Sequence, residues 1–222
     1  MKHEIFRKKR EKLVEHLKAT LAVRTKPVED AFLQTKRELF VTKSMEEYAY
    51  ADDALPIGFG QAISQPSTIA AMLEFLSAQK GMHAGEVGSG CGYVAALLSR
   101  IVGEKGKITA GEIVRELAEK SRENLKAQGC KNVTVVEGDA VEILPGFGPF
   151  DRILVSAACP FIPKPLFDSL KEGGVAVAPV GDQGTQVLTK LSKIKGKPVK
   201  EEFLESHFIF VPMRGKHGFR QL

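Results

Sequence analysis

Glycines and acidic residues at set distances carry the strongest chemical signal in this chain. Glycine recurs at 88, 90 and 92 in Glu86-Val87-Gly88-Ser89-Gly90-Cys91-Gly92-Tyr93, and an apolar run from Val94 to Leu98 follows. This pattern predicts the end of a strand, a tight turn and the start of a helix. Glycine suits such a turn because backbone can approach a ligand closely and φ can be positive. The helix start adds unpaired N–H groups and the positive end of a dipole. Glu112 lies 20 residues beyond Gly92. At that distance a carboxylate after the second strand can accept hydrogen bonds from both hydroxyls of a ribose. Asp139 follows a third predicted strand and is placed to accept from a purine's exocyclic amine. Glu86, beside the glycine turn, suits an ammonium group, directly or through water. Taken singly, each is an ordinary loop carboxylate; at three successive strand ends they read as one site.

The elements that must position these groups alternate. Apolar spacing predicts a helix over 8–20 and a second from about Lys26 whose stripe runs to Phe40, both covering the sheet edge. Residues 48–67 have neither helical nor strand period and are rich in Gly, Pro and small polar residues. A long irregular segment within a compact domain is usually functional. A helix follows over 67–76, with Ser67 its favoured cap. Strands are predicted at 83–87, 107–111, 132–136, 150–155 and 174–180, and helices at 92–102, 114–128 and 163–170. Gly129 stops the helix before it. Such alternation gives right-handed crossovers and a mostly parallel sheet, with the ligand beyond the carboxyl ends of its strands. Residues 186–195 and 202–213 alternate as a closing strand pair, with Gly196-Lys197-Pro198 as the turn. The expected organisation is one domain: N-terminal helices (1–47), an irregular loop and helix (48–80), an α/β core (81–182) and C-terminal strands (183–222).

Composition excludes several classes. The apolar fraction of 43% supports a proper core, and no apolar run approaches a membrane span. The charged N-terminal stretch lacks the apolar block of a signal peptide, so a cytoplasmic location is expected. Cys91, Cys130 and Cys159 are far apart and form no metal-ligand spacing with the five histidines. They read as reduced thiols, and Cys91 as a packing residue. The net charge of +5 is spread without interleaved aromatics, which argues against a nucleic-acid groove.

The Gly-x-Gly-x-Gly spacing differs from the Gly-x-Gly-x-x-Gly dinucleotide fingerprint. It resembles the S-adenosylmethionine (AdoMet) loop of the Rossmann-like methyltransferases, with NAD the competing ligand for Glu112. Leu55-Pro56-Ile57-Gly58-Phe59-Gly60-Gln61-Ala62-Ile63-Ser64-Gln65-Pro66 is more distinctive. It resembles the Ile-Gly-x-Gly-Gln-Thr-Ile-Ser-x-Pro segment of the protein-L-isoaspartate (D-aspartate) O-methyltransferases. Gly138-Asp139, Phe150-Asp151-Arg152-Ile153, Pro179-Val180-Gly181 and Phe210-Val211-Pro212-Met213 extend that likeness over roughly residues 30–220.

The resemblance implies methyl transfer from AdoMet to the free α-carboxylate of an L-isoaspartyl residue in a damaged protein. The ester then cyclises to a succinimide, which reopens partly to normal aspartate. It implies a cofactor site of Glu86, Gly88, Ser89, Gly90, Gly92, Glu112, Ile113, Asp139 and Ala140. Ser64 matches the serine most associated with activity. Ile57, Gly58, Ala62 and Ile63 are expected to hold the acceptor, and Val211, Pro212 and Met213 to line the peptide cleft. A monomer with no metal, nucleic-acid or membrane partner is expected. Such chemistry needs no strong base, since a carboxylate is already ionised at pH 7.

The chain departs from the family pattern at Ala62, where threonine is usual, and at Gly85, where an aliphatic strand residue is usual. Ala62 keeps open a non-catalytic AdoMet- or peptide-binding reading. A methyltransferase acting on RNA or a small molecule is a further alternative. Against base-amine methylation, Ser156-Ala157-Ala158-Cys159-Pro160 stands where Asp/Asn-Pro-Pro-Tyr/Phe would be needed.

Overall fold

The computed structural model describes residues 2–219, with side chains for all of them except 204–206. In chain order it holds α1 (Lys2–Ala19), α2 (Lys26–Gln34), the hairpin strands β1 (Leu55–Gly58) and β2 (Gln61–Ile63), and α3 (Pro66–Leu76). The α/β core follows: β3 (His83–Val87), α4 (Tyr93–Val102), β4 (Lys107–Glu112), α5 (Arg115–Gln128), β5 (Val133–Glu137), α6 (Ala140–Ile143), β6 (Phe150–Val155) and α7 (Lys164–Asp168). Three long strands close it: β7 (Leu170–Gly181), β8 (Gln186–Ile194) and β9 (Lys197–Phe208). The seven-stranded sheet runs β5-β4-β3-β6-β7-β8-β9. Strands β3 to β6 and β7 pair in parallel, while β8 and β9 are antiparallel additions. Strand order reverses at β3, whose neighbours are β4 and β6. That reversal opens a crevice at the carboxyl end of β3, the end that carries Glu86 and the glycines.

Helix α4 explains where the N-terminal helices lie. Tyr93, Ala95, Ala96, Leu97, Leu98, Ile101 and Val102 are all buried, so the helix is apolar nearly all round and needs cover on both sides. The sheet covers one side and α2 the other, with α1 packed on α2 and α3. The N-terminal helices therefore cover the helix layer, not the sheet edge. Helix α2 also stops at Gln34, because Thr35 is extended, and the chain continues through a 3₁₀ turn at Arg37–Leu39.

The segment read as irregular contains a hairpin. Leu55 pairs with Ile63 and Pro56 with Ala62, and the connection passes through Phe59 (φ 55°) and Gly60 (φ 70°). Both turn residues at positive φ are what a tight hairpin requires. The cap of α3 also differs from expectation: Asp52 Oδ1 accepts the Ser67 amide at 2.8 Å, so Ser67 is capped rather than capping. The closing strands turn at Lys195-Gly196, both at positive φ, so β9 begins at Lys197 and not at 202. Pro198 is tolerated there because β9 is the sheet edge. Residues 211–213 consequently lie outside the strand. At Gly85 the space that the usual aliphatic side chain would take is filled: a Cβ there would meet the fully buried Phe150 ring at 3.3 Å.

Candidate active site

The glycine turn is built by backbone geometry. Gly88, Gly90 and Gly92 all have positive φ, at 79°, 51° and 88°. The Gly88 and Ser89 amides both donate to the Gly111 carbonyl, at 2.9 and 3.0 Å, which ties the turn to β4. A Cβ on Gly92 would stand 2.5 Å from Ser121 Oγ of α5, so that glycine is fixed by packing. Asn124 Nδ2 donates to the Cys91 carbonyl at 3.0 Å and holds the turn from the same helix.

Glu112, at the end of β4, is 5% exposed. Its Oε2 accepts the Gly90 amide at 2.7 Å and its Oε1 the Val114 amide at 2.9 Å. Each oxygen keeps a second lone pair for a ligand hydroxyl. The carboxylate is thus both strut and acceptor, and the strut is a role that spacing alone did not reveal. Asp139 is treated similarly. Its Oδ1 accepts the Val141 amide at 3.1 Å and caps α6, and its Oδ2 accepts the Lys216 amide at 3.1 Å. Gly215 permits that approach, since any Cβ there would overlap the Asp139 carboxylate.

Glu86 is almost wholly buried, at 1% exposure. Ser156 Oγ donates to its Oε1 at 3.1 Å, and Oε2 has no partner among the described residues. Burial pushes its pKa up to about 8; the Ser156 hydroxyl pulls it down, the nearby Glu112 charge raises it, and the Ala95 amide pulls it down. An orphaned buried acceptor of this kind lacks a cationic or donor partner. Cys91 is inert by comparison, since burial raises its thiol to about 11.

Two adjoining cavities meet at this turn. The larger encloses about 600 Å³ and is lined by Ile57, Ala62, Gly88, Gly90, Glu112, Ile113, Asp139, Ala140, Val211, Pro212, Met213 and Arg214, among others. The smaller, about 310 Å³, brings Ser64 together with Glu86, Ser89, Ile63 and Ser156. Ile57, Ala62, Gly88, Gly90 and Ser156 line both. Of the residues expected at the site, Gly58 and Gly92 line neither: Gly58 shapes the hairpin turn and Gly92 packs on α5. Val211 and Pro212 reach the rim because Ala158 exchanges backbone hydrogen bonds with Val211 and Met213, both at 2.8 Å. Met213 lines the cleft but its side chain is buried in the core beneath. Residues that sequence reading missed are Ser156, Asn124, Arg214 and Arg37. The last donates from Nη2 to the Ser64 carbonyl at 3.0 Å. Only Ser156 carried a signal, its place directly after a predicted parallel strand.

These features suit AdoMet. A crevice at the β3 switch point, a glycine turn aimed at a helix start, a carboxylate beyond β4 and an orphaned buried carboxylate match a nucleoside bearing an ammonium group. The fold and the site define a Rossmann-like methyltransferase of the AdoMet-dependent class.

The comparisons make this particular. The family model for protein-L-isoaspartate (D-aspartate) O-methyltransferase matches residues 8–218, and the chain belongs to that family. It is 43% identical over 217 residues to protein-L-isoaspartate O-methyltransferase 2 of Archaeoglobus fulgidus, covering 98% of each chain. A solved protein-L-isoaspartate O-methyltransferase superposes with a TM-score of 0.84 at 33% identity, over 94% of this chain and 67% of that one. A Plasmodium falciparum β-aspartate methyltransferase, solved with S-adenosyl-L-homocysteine, gives 0.79 at 26% identity, over 90% and 96%.

Proposed function

We infer that this chain uses AdoMet to methylate the free α-carboxylate of L-isoaspartyl residues in damaged proteins and peptides, as a repair enzyme. Family membership over nearly the whole chain carries the reading. The paired cavities support it, one suited to a nucleoside and one holding Ser64 beside the glycine turn.

When bound, AdoMet supplies a methyl group made electrophilic by its sulfonium. The chain's own task is to hold, orient and exclude water. Glu112 would accept from the ribose hydroxyls, Asp139 from the adenine amine, and Glu86 Oε2 from the ammonium. The glycine turn, with Ser89, Ile113 and Ala140, forms the cradle. Ser64 Oγ–H donates to one oxygen of the acceptor carboxylate and aims the other. Ile57, Ala62 and Ile63 shape that subsite, and Val211, Pro212 and Met213 the peptide's path. Positioning of this kind contributes up to about 7–11 kcal/mol in ideal systems. A carboxylate that is itself the nucleophile needs no general base.

The same proposal includes a monomer, working in the cytoplasm, without a nucleic-acid partner. No helix among the described residues is long and apolar enough to cross a membrane. The test is methyl transfer from labelled AdoMet to an isoaspartyl peptide beside the same peptide with normal aspartate. Transfer to the isoaspartyl form alone is expected. Transfer to both, or to neither while AdoMet still binds, would move the function to another acceptor.

A further inference from the structure

Arg37 heads the largest side chains that are fully buried, at 0% exposure, and its partners leave it incomplete. It lies in the 3₁₀ turn after α2. Its Nη2 donates to the carbonyls of Ser64 at 3.0 Å and Asp53 at 3.3 Å. The guanidinium carbon stands 4.9 Å from the centroid of the Tyr93 ring, at the start of α4. Nε and Nη1 have no acceptor among the described residues. No described carboxylate lies within ion-pair distance of it. Asp52, the acidic residue whose charge reaches it, is already occupied by the Ser67 amide and the Gln65 side chain.

An arginine stays charged at any working pH. A buried charge without a counter-ion is costly, and apolar residues of similar volume would fill the space more cheaply. The tyrosine face and two carbonyls repay part of that cost. The residue nevertheless joins the acceptor loop, through Ser64 and Asp53, to the cofactor turn, through Tyr93.

We propose that the missing counter-ion is the substrate: Arg37 supplies the buried positive charge by which the Ser64 subsite selects a carboxylate over a neutral group. The inference rests on the reading of Ser64 as the acceptor subsite. Arg37 lines neither cavity, so it does not touch the acceptor. It is a positioning and specificity-determining residue, acting through the Ser64 backbone that it holds and through its field in a dry interior. The ester product has lost the charge that this field attracts, so the same device favours product release.

The test compares two peptides in complexes with S-adenosylhomocysteine, where no chemistry occurs. One carries the isoaspartyl α-carboxylate; the other is identical except that this carboxyl is a carboxamide. Wild type binds the carboxylate more tightly. In Arg37→Gln, which keeps a donor but no charge, the ratio of the two dissociation constants falls by about tenfold. In Arg37→Lys, which keeps the charge, most of the ratio survives. An unchanged ratio in Arg37→Gln, with S-adenosylhomocysteine affinity intact, would overturn the proposal.

If Arg37→Gln fails to fold, wild type carries the test. The preference measured at about 0.05 M and about 0.5 M salt should persist, because buried charges are screened far less than exposed ones. Its collapse would assign the preference to the exposed Arg214 or Lys216 and overturn the proposal. Ser64→Ala separates the two levels. A variant with wild-type turnover and peptide affinity would remove the acceptor reading itself; an impaired one, beside an unchanged ratio in Arg37→Gln, would remove only the role of Arg37.

Discussion

Around Glu112 both carboxylate oxygens are tied to backbone amides, the glycine turn is locked to Gly111, and Asn124 braces it from α5. Around Ser64 the support comes from a buried side chain instead: Arg37 Nη2 donates to the Ser64 carbonyl at 3.0 Å. Among the described residues the hairpin β1–β2 pairs only with itself, and a long hydrogen bond, Arg214 Nη2 to the Phe59 carbonyl at 3.5 Å, joins its tip to the opposite rim. One end of the cleft is thus part of the sheet's own carboxyl edge, while the other is assembled from chain segments on either side of it. A cofactor of fixed shape suits the first. Damaged peptides of many sequences suit the second, where Ala62 and Pro212 stand exposed at the rim.

Substitutions should respect that division. Gly92→Val should have the largest effect, since it forces a β-branched residue to positive φ and against Ser121. Strain at such a site costs about 1–3 kcal/mol before any clash. A steep fall in thermal midpoint is expected, with loss of cofactor binding. A stable variant that binds AdoMet normally would show that the turn is not rigidly built.

Glu112→Ala comes next. It removes a charged hydrogen-bond acceptor worth about 1.5–3 kcal/mol, or roughly ten- to a hundredfold in AdoMet affinity. Turnover at saturating AdoMet should change far less. Equilibrium binding and saturation kinetics separate the two, and an unchanged affinity would refute the ribose assignment.

Glu86 gives the cofactor end a pH signature. Its pKa in the free protein is held near 8, chiefly by burial, against an ordinary value of 4.5. Folding therefore takes up a proton between those values. The stability this group contributes is full below the lower value and is lost as pH rises through the upper one. Binding an ammonium reverses the preference, so AdoMet should release up to about one proton per site near pH 7 and bind more tightly as pH rises toward 8. Calorimetry in buffers of different ionisation enthalpy measures this, and Glu86→Gln should abolish it. Proton-neutral binding by wild type would contradict the ammonium assignment.

Ala62→Thr should have the smallest effect and should fall on the acceptor end alone. It adds a hydroxyl to an exposed rim position, worth about 0.5–1.5 kcal/mol if it meets the peptide. A few-fold lower KM for isoaspartyl peptide is expected, with AdoMet affinity unchanged.

The same division decided what could be read from sequence. Glu86, the glycines, Glu112 and Asp139 follow the alternation of strand and helix, so their spacing along the chain maps onto neighbouring strand ends. The hairpin at 55–63 was illegible because its strands are very short and one holds a proline, which hides the strand period; the Phe59-Gly60 turn was its only local sign. Arg37 was illegible for another reason. Its meaning depends on contacts with Ser64 and Tyr93, 27 and 56 positions away, and an arginine in a charged stretch reads as solvated. The capping of α3 by Asp52 and the bracing of the turn by Asn124 are long-range in the same way.

The most direct test of this two-ended account is Ser64→Ala, with AdoMet affinity and methyl transfer to an isoaspartyl peptide measured on the same preparation. Removing one preorganised donor to a reacting oxyanion typically costs about 10²–10³-fold in turnover. The account predicts a loss of that order with AdoMet affinity within about twofold of wild type. An equal loss in both, or turnover that survives, would contradict it.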